Sequence, residues 1–330
     1  MWLFSRSCQS KARLAGKTVV ITGANTGIGK ETAKDLYRRG ARVVLACRDV
    51  EKAKQAIEEL QTTLPSKPER EQFSGEPGEL SICHLDLCSF ASVRKCAQTL
   101  NSTEPNIHIL INNAGVMMCP FAKTEDGYEI QLQANHLGHF LLTLLLLPKL
   151  MKSTPARIIN VSSIAHMYAD IDFDDINLEQ SYSSMKAYNR SKLANILFTK
   201  ELARQLEEAK IDGITTYSLH PGLIATELGR HLNETVFPGA RFIARIVSVP
   251  FRKTPELGAQ TTIHCATDEK AESETGLYYK ECSVAAPSTK SKDPELARKL
   301  WNESIKMVGL EPKNNLNELL TQISQILSSM

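Results

Sequence analysis

The sequence predicts one α/β domain built around a doubly wound parallel sheet. Short β-branched segments alternate with helical segments along most of the 330 residues, and glycine or small polar residues follow the strand ends. This alternation is typical of parallel sheets covered on both faces. The composition, 42% hydrophobic and 23% charged, is that of an ordinary globular protein. Ligands of such sheets bind beyond the carboxyl ends of the strands, so we expect the functional residues there.

The elements follow in a regular order from residue 18 to residue 219. A β-branched run at 18–22 predicts the first strand, and a glycine-rich turn leads into the first helix. A segment rich in Pro, Gly and charge at 66–79 is predicted to be a surface insertion. The predicted strands are 18–22, 42–47, 80–85, 107–111, 157–161 and 215–219, and the predicted helices are 30–39, 51–60, 89–100, 132–150 and 183–209.

Charge, cysteine spacing and hydropathy exclude several classes of protein. The formal net charge of +2 lacks the strong excess of basic residues that is typical of nucleic-acid-binding proteins. The eight cysteines show no metal-binding spacing, so we expect reduced thiols, an intracellular location and no metal site. The longest apolar run, 140–147, is too short to span a bilayer, and the N-terminus lacks the apolar core of a signal peptide.

The sequence also predicts where the domain begins and ends. We expect an N-terminal tail at 1–14, one domain at 15–310 and an amphipathic C-terminal tail at 311–330. Apolar residues recur at helical spacing in the last segment, from Leu319 to Leu327. A helix of this kind more often packs on its own domain than on lipid.

Tyr188 and Lys192 form the pattern with the most chemical content. Residues four apart lie on one face of a helix, so the Lys192 ammonium is directed toward the Tyr188 phenol. A phenol has an unperturbed pKa of about 10, and moving it to roughly 7 takes about 4 kcal/mol. A cation about 4 Å away at an effective dielectric near 20 supplies about that much. The pair is a candidate acid/base couple, although the same spacing occurs by chance on many solvated helices.

A glycine-rich turn, Thr22-Gly-Ala-Asn-Thr-Gly-Ile-Gly29, joins the first strand to the first helix. Glycines let the backbone turn tightly and approach a pyrophosphate, and the helix N-terminus favours its negative charge. The spacing is Gly-x-x-x-Gly-x-Gly, and its position between a strand and a helix indicates dinucleotide binding. The residues expected to contact the cofactor here are Gly23, Asn25, Thr26, Gly27, Ile28 and Gly29.

The end of the second strand distinguishes between the two nicotinamide cofactors. An NAD site usually carries an acidic residue there, which binds the ribose 2′-hydroxyl. Arg48 stands at this position, where pairing with the 2′-phosphate of NADP would contribute about 1.5–3 kcal/mol. We therefore predict NADP(H) as the cofactor. The alternative is that Arg48 is a solvated turn residue and that Asp49 binds the ribose of NAD.

Two further strand ends carry candidate cofactor contacts. Asp86 follows the third strand, where its carboxylate could accept a hydrogen bond from the adenine amino group or cap the next helix. The motif Asn-Asn-Ala-Gly at 112–115 follows the fourth strand, and its small residues allow the backbone to approach a ribose closely. We expect Asn113, Ala114 and Gly115 to line the cofactor site.

Five motifs in this order resemble the short-chain dehydrogenase/reductases: the glycine-rich turn, Asn-Asn-Ala-Gly at 112–115, Ser163, Tyr188-x-x-x-Lys192 and His220-Pro-Gly222. The resemblance covers roughly residues 15 to 310. Longer strings, among them Ala46-Cys-Arg-Asp49 and Asn135-His-Leu-Gly-His-Phe-Leu-Leu-Thr143, are similar to the NADP-dependent retinol dehydrogenase branch. This resemblance implies a Rossmann-type fold and the interconversion of retinol and retinal, or the reduction of other apolar aldehydes.

The resemblance also implies roles for single residues. Tyr188 would be the general acid in carbonyl reduction and the base in the reverse direction, and Lys192 would lower its pKa and bind the nicotinamide ribose. Ser163 would donate a hydrogen bond to the substrate oxygen. Asn135 would hold a water of the proton relay. Ser163 is preferred over its neighbour Ser162 because its interval before the tyrosine matches the retinol dehydrogenase branch.

The segment after the sixth strand completes the expected site. Pro221 and Thr226 are expected to contact the cofactor, with Thr226 at the nicotinamide carboxamide. His166 and His220 are expected to be structural, since the family mechanism needs no histidine. The apolar stretch at 227–255 would cover a hydrophobic aldehyde; the alternative is an ordinary packed helix pair.

The resemblance leaves the substrate and the surroundings of the protein open. The alternatives are the same chemistry on steroid or lipid carbonyls, or a non-catalytic NADP-binding sensor or scaffold. By family analogy we expect a homo-oligomer through the helices that hold Leu141–Leu147 and Leu193–Leu206. The expected location is the cytoplasm or the surface of the endoplasmic reticulum, with peripheral membrane contact through Trp2, Leu3 and Phe4 as a hypothesis.

Overall fold

Eight strands form one sheet in the computed structural model, which describes residues 6–63, 75–224, 232–235 and 253–329. The strands are β1 Thr18–Thr22, β2 Arg42–Cys47, β3 Glu79–His84, β4 Ile109–Asn112, β5 Ala156–Val161, β6 Ile214–His220, β7 Leu277–Lys280 and β8 Ser283–Val284. Their order is β3-β2-β1-β4-β5-β6-β7-β8, and each neighbouring pair is parallel except β7 and β8. The order reverses between β1 and β4, and such sheets bind ligands at the carboxyl ends of the strands at this point.

Helices lie along both faces of the sheet. They are α1 Gly27–Arg38, α2 Val50–Thr62, α3 Phe90–Thr103, α4 at 130–152, α5 Ser184–Glu208, α6 Pro255–Thr267, α7 Pro294–Met307 and α8 Leu316–Ser329. Helix α4 is one continuous run made of Ile130–Leu132, the π-helical Gln133–Leu137 and Gly138–Lys152. The longest, α5, carries both Tyr188 and Lys192.

Alternating side chains along the strands form two separate apolar cores. Val19 and Ile21 of β1 pack in one core with residues of α1, α2 and α6, whereas Val20 packs in the other with residues of α3, α4 and α5. All three side chains are fully buried. A strand covered by helices on both faces is buried along its whole length, and all five residues of β1 are buried, with the apolar Val19, Val20 and Ile21 between two threonines.

The predicted doubly wound parallel sheet is confirmed, and all six predicted strands are present. Strands β1 and β2 have the predicted bounds, and the ends of most other elements shift by a few residues. Strands β7 and β8 were not predicted. The two residues between them, Glu281 and Cys282, have φ of 52° and 54°. Turns with both central residues in this left-handed region are usually marked by Asn or Gly, so the sequence carries no hairpin signal here.

The leucine-rich helix α4 is covered by the C-terminal helices of the same chain. Its side chains from Leu144 to Leu147 are fully buried and belong to one core with Trp301 of α7 and Ile323 of α8. The predicted amphipathic C-terminal segment therefore packs on the domain. The same packing makes these leucines unavailable to the second subunit expected on this face.

The described part of the expected N-terminal tail also lies against the domain. The buried Arg39 donates from Nη1 to the carbonyl oxygens of Ser10 and Ala12, at 2.9 and 3.0 Å. The N–H of Cys8 donates to Oε1 of Gln260, on α6, at 3.0 Å. A buried guanidinium is costly unless it is hydrogen-bonded, so these contacts also stabilise Arg39.

Several sequence predictions concern residues that the structure does not describe. Trp2, Leu3 and Phe4 are among them, as are most of the predicted surface insertion at 66–79 and most of the predicted substrate segment at 227–255. Within the described ranges, no helix is both long enough and apolar enough to cross a bilayer.

We expect Ile323→Ala to lower the free energy of unfolding by about 2–5 kcal/mol. It removes a fully buried side chain from the core that α8 shares with α4. The control Asn317→Ala, at an exposed position of the same helix, should change this free energy by less than about 0.5 kcal/mol. Urea unfolding followed by circular dichroism measures both. Equal, small effects of the two substitutions would contradict the packing of α8 on α4.

Candidate active site

The glycine-rich turn after β1 leaves no room for larger side chains. Gly23 and Gly27 have φ of 66° and 57°, a conformation that L side chains rarely adopt. A Cβ on Gly29 would lie 2.4 Å from the carbonyl oxygen of Gly23 and 2.6 Å from Nδ2 of Asn113. The turn therefore brings three chain segments into contact and leaves its outer backbone accessible to a ligand.

Helix α1 begins at this turn without a side-chain cap. Thr26 occupies the cap position, and its side chain makes no capping hydrogen bond. By contrast, Asp49 caps α2. The N-terminus of a helix attracts negative charge, and an uncapped one presents its first N–H groups to a phosphate. Asn25 and Ile28 lie in the same turn, each partly exposed.

A single hydroxyl joins the ends of β1 and β4. Thr22 Oγ1 accepts hydrogen bonds from the backbone N–H groups of Asn113 and Ala114, both at 2.9 Å. The same hydroxyl lies 2.8 Å from Nε2 of His139, and Nδ1 of His139 lies 3.1 Å from the carbonyl oxygen of Asn135. Thr22 and His139 are not among the predicted site residues. The position of His139 in the string at 135–143 is the sequence signal that could have indicated it.

The end of β2 carries one exposed cation and one carboxylate that caps the next helix. Arg48 is exposed. Asp49 Oδ1 accepts from the backbone N–H of Lys52 at 3.0 Å, which caps α2. At the end of β3, Asp86 Oδ1 accepts from the backbone N–H of Cys88 at 2.9 Å and so shapes the turn before α3.

Only one of the two adjacent serines faces Tyr188. Ser162 is buried, and its hydroxyl donates to the carbonyl oxygen of Lys192 at 2.7 Å. The side chain of Ser163 lies close enough to the Tyr188 phenol to lower the pKa of that phenol. Ser163 Oγ also accepts from the backbone N–H of Ala165 at 3.3 Å, which leaves its proton available for donation.

Burial sets the charge states of Tyr188 and Lys192. Burial raises the pKa of Tyr188 to about 12, while the nearby Ser163 side chain acts in the opposite direction. Burial also lowers the pKa of Lys192 to about 8. Lys192 Nζ donates to the carbonyl oxygen of Val161 at 3.1 Å and lies 5.6 Å from the centre of the Tyr188 ring. The expected lowering of the Tyr188 pKa is therefore not found in the chain alone.

Asn135 lies in the π-helical part of α4 and contacts the segment that follows Asn-Asn-Ala-Gly. Its side-chain amide holds the backbone of Val116 through two hydrogen bonds, of 2.8 and 2.9 Å, and donates to Oγ of Ser191 at 2.9 Å. A Cβ on Gly115 would lie 3.1 Å from Asn135 Oδ1 and 3.5 Å from Lys192 Nζ. Isolated π-helical turns are frequent at functional sites.

The end of β6 completes the described part of the site. Pro221 follows β6 directly, and the next residue, Gly222, has a φ of 103°. A Cβ on Gly222 would lie 2.9 Å from Cδ of Lys253. Thr226 lies outside the described residues. The other predicted site residues follow the carboxyl ends of β1 to β6 or lie on α4 and α5.

This arrangement of strands, glycine-rich turn and Tyr-x-x-x-Lys helix has a known counterpart. A family model described as short chain dehydrogenase matches residues 17–236. The chain belongs to the short-chain dehydrogenase family. Its cradle of glycines and the uncapped start of α1 fit the pyrophosphate of a dinucleotide.

Several curated short-chain dehydrogenases are similar along nearly the whole chain. Retinol dehydrogenase 11 of Homo sapiens is 48% identical over 308 residues, which cover 93% of this chain and 91% of that protein. Retinol dehydrogenase 14 of Homo sapiens is 48% identical over 297 residues, covering 89% and 87%. The expected resemblance to the retinol dehydrogenase branch is confirmed.

Solved structures agree with the fold of this short-chain dehydrogenase. A putative uncharacterized protein from Mycobacterium Paratuberculosis is 33% identical, with a TM-score of 0.71, and the match covers 92% of this chain and 97% of that one. The RhlG/NADP active-site complex of Pseudomonas aeruginosa is 27% identical, with a TM-score of 0.60, covering 82% and 96%. As a member of this family, the chain is an oxidoreductase that binds a nicotinamide cofactor.

Three buried histidines of this short-chain dehydrogenase predict a loss of stability in mild acid. Burial lowers the pKa of His136 to about 4 and those of His139 and His220 to about 3. Between pH 6.5 and those values the unfolded chain binds protons that the folded chain does not, so stability falls as pH falls below about 6.5. Urea unfolding at several pH values between 7.5 and 5 should show this decrease.

His136→Gln separates this effect from general acid sensitivity. Its amide can keep a hydrogen bond with Ser304, whose hydroxyl lies 2.9 Å from His136 Nε2, but it cannot titrate. The slope of the free energy of unfolding against pH should correspond to about one fewer proton taken up on unfolding than in the parent chain. The same replacement at the exposed His84 is the control. An unchanged slope in His136→Gln would contradict the prediction.

Proposed function

We propose that this chain is an NADP-dependent oxidoreductase that interconverts retinol and retinal, or similar apolar alcohol and aldehyde pairs. The observation that supports the chemistry is that the Ser163 side chain lies next to the Tyr188 phenol and lowers its pKa, with the buried Lys192 one helical turn away. The substrate class is supported by the 48% identity with retinol dehydrogenase 11 of Homo sapiens.

Tyr188 acts as the general acid when a carbonyl is reduced. When bound, the nicotinamide supplies the hydride to the carbonyl carbon. Because burial raises its pKa to about 12, Tyr188 holds its proton at neutral pH and can deliver it to the oxygen. Ser163 donates a hydrogen bond to the same oxygen and so stabilises the negative charge that develops there.

Lys192 is the buried cation of the site. With a pKa of about 8 it is mostly charged at neutral pH. One of its donors binds the carbonyl oxygen of Val161, and the others are available for the hydroxyls of a nicotinamide ribose. Gly115 lies beside this ammonium, since a Cβ there would be 3.5 Å from Lys192 Nζ, an ordinary van der Waals distance. Asn135 fixes the neighbouring backbone and is the proposed anchor for a relay water.

Arg48 favours NADP over NAD. It is the exposed cation at the end of β2, where the adenosine ribose of such cofactors lies. The competing carboxylate, Asp49, already caps α2 through the N–H of Lys52. Asp86 is the proposed partner of the adenine amino group, with Pro221 and Thr226 on the nicotinamide side.

Exposed apolar side chains around the site support an apolar substrate. Ile164 follows Ser163, Met185 lies one helical turn before Tyr188, and Leu223 follows the end of β6. These three side chains are 37%, 56% and 55% exposed. Steroid or lipid-derived carbonyls would suit the same surroundings and are the alternative substrates. Contact of such a protein with the surface of the endoplasmic reticulum would agree with a lipid-soluble substrate.

Tyr188→Phe tests the proposed function. It should lower turnover of all-trans-retinal with NADPH by at least about 100-fold, because the acid is lost. The Kd for NADPH should change little. Absorbance of NADPH measures turnover, and its fluorescence measures binding. Tyr168→Phe is the matched control, since Tyr168 is 82% exposed; it should retain full activity.

Two outcomes would contradict the proposal. Turnover that survives in Tyr188→Phe would refute the role of the phenol. Tight NADPH binding without turnover of retinal, a steroid ketone or a medium-chain aldehyde would favour the non-catalytic alternative.

Arg48→Ala tests the choice of cofactor. Loss of a charge-assisted bond of about 1.5–3 kcal/mol should lower the ratio of kcat/KM with NADPH to kcat/KM with NADH by roughly 10- to 150-fold. Lys54→Ala is the control, because Lys54 is an exposed cation of α2 paired with Glu51 at 2.7 Å. It should leave the ratio unchanged. An unchanged ratio in Arg48→Ala would refute the role of Arg48.

A further inference from the structure

The peptide group between Ser163 and Ile164 is held at both ends by histidines. Nδ1 of His166 lies 2.6 Å from the carbonyl oxygen of Ser163. Nδ1 of His220 accepts from the N–H of Ile164 at 3.2 Å. Both imidazoles are buried, with 1% and 5% of their surfaces exposed. One peptide plane next to Ser163 is therefore fixed by two rings from different parts of the chain.

The other contacts of the two rings determine their tautomers. Nε2 of His166 faces the backbone N–H of Ser288 at 3.1 Å, so it must accept, and the proton of the ring must be on Nδ1. Nδ1 of His220 faces two N–H groups, of Ile164 and of Gly222, at 3.2 and 3.4 Å. It must accept from them, and its proton must be on Nε2. Each ring is neutral and has one arrangement that satisfies its partners.

Rigid surroundings hold the two rings in place. The ring of His166 packs against Tyr278 of β7, with 5.0 Å between ring centres. The Ser288 turn that binds its far side is closed by two hydrogen bonds between Ser288 and Ser291. His220 is the last residue of β6, which pairs with both β5 and β7. The sheet and the segment after β8 thus both support the loop that carries Ser163.

We propose that His166 and His220 are positioning residues, which fix the hydroxyl of Ser163 opposite Tyr188 through the Ser163–Ile164 peptide group. The proposal rests on the proposed function of Ser163 and Tyr188. Fixing this peptide fixes ψ of Ser163, which is 160° in the structure, and with it the direction in which the side chain leaves the backbone. A displacement of about 1 Å in a catalytic group can lower the rate about 100-fold.

Asparagine and glutamine variants separate the two ends of each ring. An Asn amide reaches the position of Nδ1, whereas a Gln amide reaches that of Nε2. His166→Asn can keep the bond to Ser163 and lose that to Ser288, and His166→Gln does the reverse. We expect His166→Gln and His220→Gln to lower kcat by about 100-fold, with the Kd for NADPH unchanged. The two Asn variants should keep most of kcat. Equal kcat in the Asn and Gln variants would overturn the proposal.

A double-mutant cycle with Ser163→Ala distinguishes positioning from general structural support. If His166 acts through Ser163, His166→Gln should cause little further loss of kcat once the hydroxyl is gone. The full 100-fold loss in both backgrounds would overturn the proposal, because it would show that His166 acts elsewhere. Circular dichroism checks that each variant is folded.

The tautomers can be measured without any turnover. ¹⁵N spectra of the histidine side chains at pH 7 should show His166 with a protonated Nδ1 and His220 with a protonated Nε2, assigned from the signals lost in the Gln variants. The opposite tautomer in either ring would overturn the proposal whatever the activity. If the parent chain reduces none of the tested carbonyls but still shows these tautomers, the proposed function fails, whereas the two histidine hydrogen bonds to the Ser163–Ile164 peptide group are confirmed.

Discussion

The position of the site depends on one buried hydroxyl at the point where the strand order reverses. Thr22 Oγ1 accepts from two N–H groups at the end of β4 and contacts His139, which in turn contacts the carbonyl oxygen of Asn135. The glycine-rich turn, the Asn-Asn-Ala-Gly segment and the π-helical part of α4 are thereby joined. Buried polar networks of this kind are rigid only when each member is satisfied, so a change at Thr22 or His139 would affect all three segments.

Burial rather than charge pairing dominates the electrostatics of the catalytic groups. Tyr188 and Lys192 are both almost fully buried, and the free energy of desolvation moves each toward its neutral form. The ammonium lies 5.6 Å from the centre of the phenol ring, so its attraction for a phenolate does not offset that effect. A site arranged in this way favours a protonated Tyr188, which suits carbonyl reduction.

Much of this arrangement could be predicted because the residues at strand ends form recognisable local sequence patterns. The bounds of β1 and β2, the glycine-rich turn and the Tyr188–Lys192 helix all follow from local patterns. Long-range facts could not be predicted in this way. No local pattern shows that the Glu281-Cys282 turn adopts a left-handed conformation, or that α8 covers α4. The burial that raises the pKa of Tyr188 could not be predicted either, because spacing gives the distance to a charge but not the degree of burial.

Helix α8, which packs on α4, is the last part of the chain to be synthesised. About 170 residues separate Leu147 of α4 from Leu316, where α8 begins. At a synthesis rate of about 5–20 residues per second, the ribosome needs roughly 10–35 seconds to produce the helix that covers those leucines. During that interval the nascent chain has β1 and α3 to pack against α4, but not the C-terminal helix that completes this core. This half of the core can therefore be completed only after the last residues of α8 have been made.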